Sequence, residues 1–271
     1  MAKRLFSLVS WNVEHFKDDQ KRIERVVDFL AKQKPDVFGL YEVEGKTIFD
    51  TIKTLMPGYQ FHITEGPQTQ EILVGVRSKF TAFFTQKLEF NSGNTFLRPG
   101  ALLTLTIAGE DYPILFLHTK SSNTPVGLGI RDDQFQRAVK FKETLEKSAK
   151  PKGKPVNYIF LGDLNTMGMK YPFGHSIEAQ VELQKLDQDI GKVGMRRLEK
   201  NAPNSWWNGP KSKLPPSNLD QVVVANNLRL RAFGQAEIDV RGWPRLATES
   251  EQGKWIADFS DHALLYVEVQ Q

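Results

Sequence analysis

The chain has no cysteine, which excludes a disulfide framework, thiolate metal sites and a cysteine nucleophile. Long apolar runs are also missing. The first apolar stretch, Leu5–Val9, passes at once into the polar Ser10–Trp11–Asn12 and is too short for the apolar region of a secretory signal. No stretch approaches the roughly 18–20 apolar residues that a membrane span needs, so the expectation is a cytoplasmic protein with no membrane segment. There is no phosphate-cradling glycine loop of the nucleotide-hydrolase kind. No strand-turn elbow of the G-x-S-x-G form surrounds Ser121 or Ser122, which removes a serine nucleophile. Internal repeats and low-complexity tracts are absent as well.

What remains is an ordinary globular composition: 271 residues, 40% hydrophobic and 25% charged. That length suits one large α/β domain or two small ones, with a sizeable core, and a single domain over residues 1–271 is the expectation. The net charge of +4 and the isoelectric point near 9.1 describe a mildly basic surface, which suits a polyanion such as nucleic acid.

Residues 4–13 read as a buried strand. Ile23, Val26, Val27 and Leu30 fall on one face of a helix over 18–34. Residues 36–41 form a second apolar strand ending at Glu42, and 45–56 a short helix. Strands follow near 59–63, 71–77, 80–88, 99–109 and 112–118, separated by turn residues. Phe135, Ala138, Val139, Lys142 and Leu145 mark a helix over 130–149. After the linker 150–155 come a strand at 156–161, a helix near 175–187, an irregular basic stretch at 188–217, and strands near 219–225 and 263–269. Strands that alternate with helices and also form meanders predict two packed mixed sheets with helices outside.

Six segments place polar groups at strand ends. VSWN ends in Asn12, FGLYE in Glu42 and LFLHTKS carries His118; IFLGDLN holds Asp163 and Asn165, FSDH holds Asp261 and His262, and NLDQVVV opens with Asp220. Taken singly, these residues have plain structural readings: a strand-end turn at Asn12, a surface acid at Glu42, a packed histidine at 118, an Asx turn at Asp163–Asn165. Buried charges are costly unless paired or bound to metal, however, so acids repeated at strand ends suggest convergence on one site. Together the six supply what hydrolysis of a phosphodiester requires: carboxylate oxygens for a hard cation, a base for water and donors for the phosphoryl oxygens.

In this order SWNV, the strand-final Glu42, GDLNT, NLDQVVV and SDHALL resemble the endonuclease/exonuclease/phosphatase superfamily with the deoxyribonuclease-I-like fold, from Ser10 to Val267. The resemblance implies a four-layered α/β sandwich, with two central mixed β-sheets flanked by helices, and a Mg²⁺ or Mn²⁺ cofactor. It makes Glu42 the principal metal ligand, with Asn12 and Asp261 beside it. Asp163 and Asn165 would orient the nucleophile and hold the phosphate, and His262 would be a base polarised by Asp220. His118 and Arg98 would contact phosphoryl oxygens, with Glu71 as the carboxylate that orients His118. The branch that cleaves abasic sites carries a tyrosine motif where this chain has LHTKSS. With RDDQFQRA downstream, the chain looks more like histidine-containing bacterial nuclease-like members. Gln221 follows Asp220 where many relatives have histidine or tyrosine.

The implied activity is a nuclease acting on DNA or RNA; the alternative is a phosphatase or phosphodiesterase acting on a phospholipid head group, an inositol phosphate or another small phosphoester. In the basic stretch, Trp206 and Trp207 among lysines and arginines suit stacking on nucleic acid, against a core role for at least one of the two. His15, His62 and His175 fit no motif and read as structural or surface residues.

Overall fold

The computed structural model describes residues 3–17, 19–67 and 70–271. The chain runs β1 (Arg4–Phe16), α1 (Gln20–Lys32), β2 (Val37–Val43), α2 (Lys46–Leu55), β3 (Tyr59–Ile63) and β4 (Glu71–Arg77). It continues through β5 (Thr81–Lys87), β6 (Gly100–Ile107), β7 (Glu110–His118), α3 (Pro125–Ala149), β8 (Ile159–Asp163), α4 (Ala179–Lys192) and β9 (Met195–Arg197). It ends with β10 (Asp220–Ala225), β11 (Arg229–Leu230), β12 (Asp239–Arg241), α5 (Glu249–Asp258) and β13 (Leu264–Gln270).

The first sheet has the order β11-β13-β1-β2-β4-β3, with β12 also on β13, and the second the order β5-β6-β7-β8-β10-β9. Each contains one parallel pair, β1 with β2 and β7 with β8, among antiparallel neighbours. The alternation of a strand builds the layers. In β1, Phe6 and Leu8 face a central core shared with Ile114, Phe116, Ile159 and Leu161 of the other sheet. Val9, Trp11 and Val13 face the opposite way and pack on Ile23, Val26 and Leu30 of α1. A third cluster joins Leu115, Leu117 and Phe160 to Phe135 and Ala138 of α3 and to Leu186 of α4. These are the four layers that the strand and helix pattern predicts.

Several boundaries differ from expectation. Asp19 caps α1 by accepting from Arg22 N, and the helix stops ahead of Pro35, which disfavours helical backbone at the preceding residue; residue 18 lies outside the described residues. Helix α3 starts five residues earlier than its periodicity shows, at Pro125, where proline sets the first turn and Thr124 caps it. Residues 175–177, read as helix, belong instead to a hairpin closed by Met169 and Ile177, and Glu178 is the N-cap of α4. The stretch 188–217, read as irregular, holds the last turn of α4 and strand β9. Among the described residues no helix is long and apolar enough to cross a membrane.

Candidate active site

The topology explains why distant segments meet. Parallel β1 and β2 bring Asn12 and Glu42 to the same sheet edge, and β13, antiparallel to β1, begins there, just after Asp261–His262. In the second sheet parallel β7 and β8 end side by side, with His118 opposite Asp163, and antiparallel β10 begins there, with Asp220 opposite Asp163. The two edges face each other across a cleft of about 720 Å³ lined by Glu42, Arg98, His118, Asp163, Asn165, Asp261 and His262.

Local backbone aims these groups. The β2–β4 register shifts between Leu40 and Val43, and Glu42 takes a left-handed φ of 62°. A bulge of this kind re-aims one side chain, here into the cleft. Gly162 has φ 147°, and a Cβ there would lie 1.8 Å from the Leu117 carbonyl oxygen. Glycine is therefore what lets Asp163 sit beside His118.

Asn12 is the hub. Its Nδ2 donates to Glu42 Oε1 at 3.2 Å and to Asp163 Oδ2 at 2.9 Å, while its Oδ1 accepts from Glu14 N at 3.0 Å. Its amide thus ties two carboxylates together. Glu42 Oε2 accepts from His15 N at 2.9 Å. Asp163 Oδ1 accepts from Asn165 N at 3.0 Å, and Asn165 Nδ2 donates to the Thr119 carbonyl at 3.1 Å. Burial raises the Asp163 carboxyl, with the negative charge of Asp220 adding to it and His262 and Asn12 opposing, to about 6.

His262 Nδ1 lies 2.8 Å from Asp220 Oδ2. Its position is set from β1, because the Trp11 indole donates to its carbonyl and Ser260 Oγ, which accepts from its N–H, donates to the Asn12 carbonyl. Ser205 Oγ accepts from Asp220 N and fixes the other partner. Burial opposes a charged His262, but Asp220, Asp163 and Asp261 outweigh it, and the imidazole is held well above its ordinary 6.5. His118 is the reverse. Burial, Arg98 and His262 all push it well below 6.5, so it is neutral. Its Nε2 stands 3.5 Å from Asp163 Oδ2 and 3.8 Å from Glu42 Oε1, beyond hydrogen-bond length.

Glu71 does not orient His118. Its oxygens accept from Thr64 Oγ1 and Gly66 N, and His118 Nδ1 is buried without a hydrogen-bond partner. Arg98 does reach the cleft, held from behind by hydrogen bonds to the carbonyl and side chain of Gln70. Trp206, unassigned beyond its basic segment, lines the cleft and donates to Asp261 Oδ2 at 2.7 Å, while Trp207 is buried in the central core. His15, read as a structural or surface residue, has an exposed side chain at the cleft mouth and presents its backbone N–H to Glu42. Nothing in the segment EHF flags this, because it follows from a left-handed turn at Glu14 and His15. His62 stacks on Phe84 with ring centroids 4.9 Å apart, and its role is structural.

The donor set suits a hard cation. Glu42 and Asp261 face the same cleft, and each repels the other's charge: burial raises the Asp261 carboxyl, His262 and Trp206 oppose, and Glu42 adds to the rise. Oxygen donors left in mutual repulsion are what a divalent ion of the Mg²⁺ class relieves. Asp163, Asp220 and His262 also bring possible ligand atoms within 4.8 Å of one another. That trio already satisfies itself through the Asp220–His262 hydrogen bond, so it is the poorer cradle.

A model of the endonuclease/exonuclease/phosphatase family matches residues 9–262. The chain belongs to that family. Its members are phosphoester hydrolases, and the match spans every segment that meets at the cleft. No curated protein matches this family member by sequence. Among solved structures it resembles truncated TDP2 of Caenorhabditis elegans at 16% identity and a TM-score of 0.69, over 98% of both chains. It also resembles the Neisseria 3′ phosphatase NExo bound to a product DNA hairpin, at 16% identity and TM-score 0.63 over 98% of this chain and 100% of that one. A third is a mannosyl-6-phosphatase of Bacteroides thetaiotaomicron, at 15% identity and TM-score 0.61, again over 98% and 100%. These likenesses establish the deoxyribonuclease-I-like fold of this family member.

Proposed function

We propose that this protein is a Mg²⁺- or Mn²⁺-dependent nuclease that hydrolyses phosphodiesters of DNA or RNA by in-line attack of water. The observation that carries the reading is the Asp220–His262 pair. One imidazole nitrogen is held by a buried carboxylate at 2.8 Å, and the other, 3.7 Å from Asp163 Oδ2, has no hydrogen bond among the described residues and adjoins the cleft. A carboxylate-held imidazole is a competent base for water, and Asp163 is placed to orient that water.

Glu42 is the principal ligand in this reading, with Asp261 beside it and Asn12 holding Glu42 in place. The metal, when bound, offsets charge on the phosphoryl group and the leaving oxygen. Neutral His118 and the Arg98 guanidinium approach the phosphate from the opposite sheet, the arginine offering a bidentate fork, and Asn165 holds the phosphate from the β8 side. Support for a nucleic acid over a small phosphoester comes from the open cleft, the net positive charge and the solved neighbour that holds a DNA hairpin.

The test is a panel of single-stranded and duplex DNA, RNA, phosphoinositide, sphingomyelin and sugar phosphate, each with Mg²⁺ and with chelator. Chelator-sensitive cleavage of nucleic acid is expected, with Glu42→Ala and His262→Ala each losing on the order of 10²–10⁴ in rate. Turnover confined to the small phosphoesters, or nuclease activity untouched by both substitutions, overturns the reading.

A further inference from the structure

Segments that line the cleft also carry apolar side chains that the core does not claim. Phe96 is 64% exposed, Leu214 59%, Tyr171 44% and Phe173 88%. All four belong to segments that supply cleft residues, namely Arg98, Pro215 and Lys170, and Leu214 lines the cleft itself. Of these, Tyr171 and Phe173 adjoin each other, and exposed apolar groups that adjoin one another beside a concave site mark a surface built to be covered.

The 169–177 hairpin is the most developed of these segments. Met169 and Ile177 exchange both backbone hydrogen bonds, at 2.7 and 2.8 Å, and Lys170 N donates to the Asn123 carbonyl at 2.7 Å, fixing the root to the cleft wall. Gly168 at the root has φ 70°, and a Cβ there would meet the Ile177 carbonyl oxygen at 2.1 Å. Its N–H donates to the buried Glu182 at 2.7 Å. At the tip Tyr171 and Phe173 form an edge-to-face pair with ring centroids 6.1 Å apart, and Tyr171 lies over Gly174, where a Cβ would come within 3.1 Å of the ring. A root fastened this firmly holds an almost fully exposed phenylalanine three residues from Lys170, within about 11 Å of chain. The cleft shares Glu14 and His15 with a second hollow of about 690 Å³ that reaches Lys211, so the two hollows adjoin.

We propose that the Tyr171–Phe173 tip is a stacking platform for an unpaired nucleobase, so that the substrate is a single-stranded nucleic acid whose scissile phosphate lies in the cleft while a neighbouring base leaves the strand to cover Phe173. The inference rests on the nuclease reading and names the substrate class of that site. Every base has a π-face, so an aromatic platform accepts any sequence, and Lys170 beside it meets the adjoining phosphate. A duplex keeps its bases paired and stacked inside, and would offer the platform only its backbone.

The experiment compares kcat/KM on a short single-stranded oligonucleotide, on its duplex and on bis(p-nitrophenyl) phosphate. In Phe173→Ala the ratio of oligonucleotide to small-diester kcat/KM should fall about 5- to 100-fold, the loss of one base–aromatic stack. Phe173→Trp should retain it, and Phe173→Leu should not. An abasic nucleotide walked along the oligonucleotide should reveal one position that matters for the wild type and no longer matters for Phe173→Ala. If the oligonucleotide is cleaved and Phe173→Ala leaves the ratio and the abasic profile as they were, the platform is refuted and the nuclease reading stands. Equal losses on duplex and single strand also refute it. If no nucleic acid is cleaved at all, both fall together.

Discussion

At the scale of single residues, the site depends on buried charges that shift one another. Asp220 is the strongest influence holding His262 well above its ordinary value against burial. In its proposed role as base His262 must be neutral to act, so kcat/KM should rise with pH as the imidazolium loses its proton. In Asp220→Asn the rising limb should move to lower pH while the plateau falls on the order of 10²–10⁴, which a pH–rate profile measures directly. Lys200 lies behind the same pair. Its ammonium donates to Asn218 Oδ1 and to the Asp220 carbonyl, and burial, opposed by Asp220 and reinforced by Arg197, lowers it from 10.5 to about 7. Between these two values the unfolded chain binds a proton that the folded chain does not, so stability rises with pH across that window and the full penalty is felt below it. In Lys200→Met the rise in urea midpoint from about pH 7 to about pH 10 should flatten; an unchanged slope would place the titration elsewhere.

At the scale of elements, the loops of the second sheet are pinned by one buried ion pair. Arg131 on α3 is fully buried and donates to both Glu182 oxygens on α4, at 2.6 and 3.1 Å. It also donates to the carbonyls of Lys120, Ser122 and Gly168, which belong to the two loops that carry Ser121, Asn123, Asn165 and Lys170 into the cleft. Arg131→Met leaves Glu182 buried and unpaired and should cost about 3–5 kcal/mol, with much of that recovered in the double variant Arg131→Met/Glu182→Leu. Urea unfolding measures both, and a large cost that persists in the double variant would locate the effect in the backbone groups left without partners, the three loop carbonyls and the Gly168 N–H. Arg131 also shows where reading by element stops. Periodicity found the core of α3 because Phe135, Ala138 and Val139 repeat on one face, but its first two turns hold Gly127 and Gly129, which hide a start that Thr124 and Pro125 signal. Helix α5 was missed although Thr248 and Glu251 form a capping box, since a stretch that buries only Ile256 has almost no apolar stripe to show.

At the scale of the whole molecule, the candidate site was more legible than the element boundaries, for a physical reason. Polar residues at the ends of apolar strands are conspicuous in sequence, and two sheets with parallel centres gather those ends at one edge whatever the precise helix limits. What stayed hidden depends on tertiary contact: Trp206 reaching Asp261, His15 turning its N–H to Glu42, Glu71 committed to Thr64 and Gly66 instead of His118. The same gathering sets a cost. Glu42, Asp163 and Asp261 line one cleft, with Asp220 behind His262; Arg98 and His262 offset part of this charge, but burial and neighbouring carboxylates still raise Asp163 and Asp261, a cost that a bound cation would relieve. Mg²⁺ should therefore stabilise the folded chain, by about 2.7 kcal/mol at a hundredfold excess over its dissociation constant, a rise in Tm of roughly 5 °C for a chain of this size. Glu42→Gln removes the charge at the proposed principal ligand, keeping the hydrogen bond from His15 but giving up the one from Asn12, so its metal-free Tm should change little and its response to Mg²⁺ should be greatly reduced. Thermal unfolding with and without chelator separates the two effects, and a Glu42→Gln protein that still gains the full increment would move the metal to the Asp163–Asp220–His262 trio.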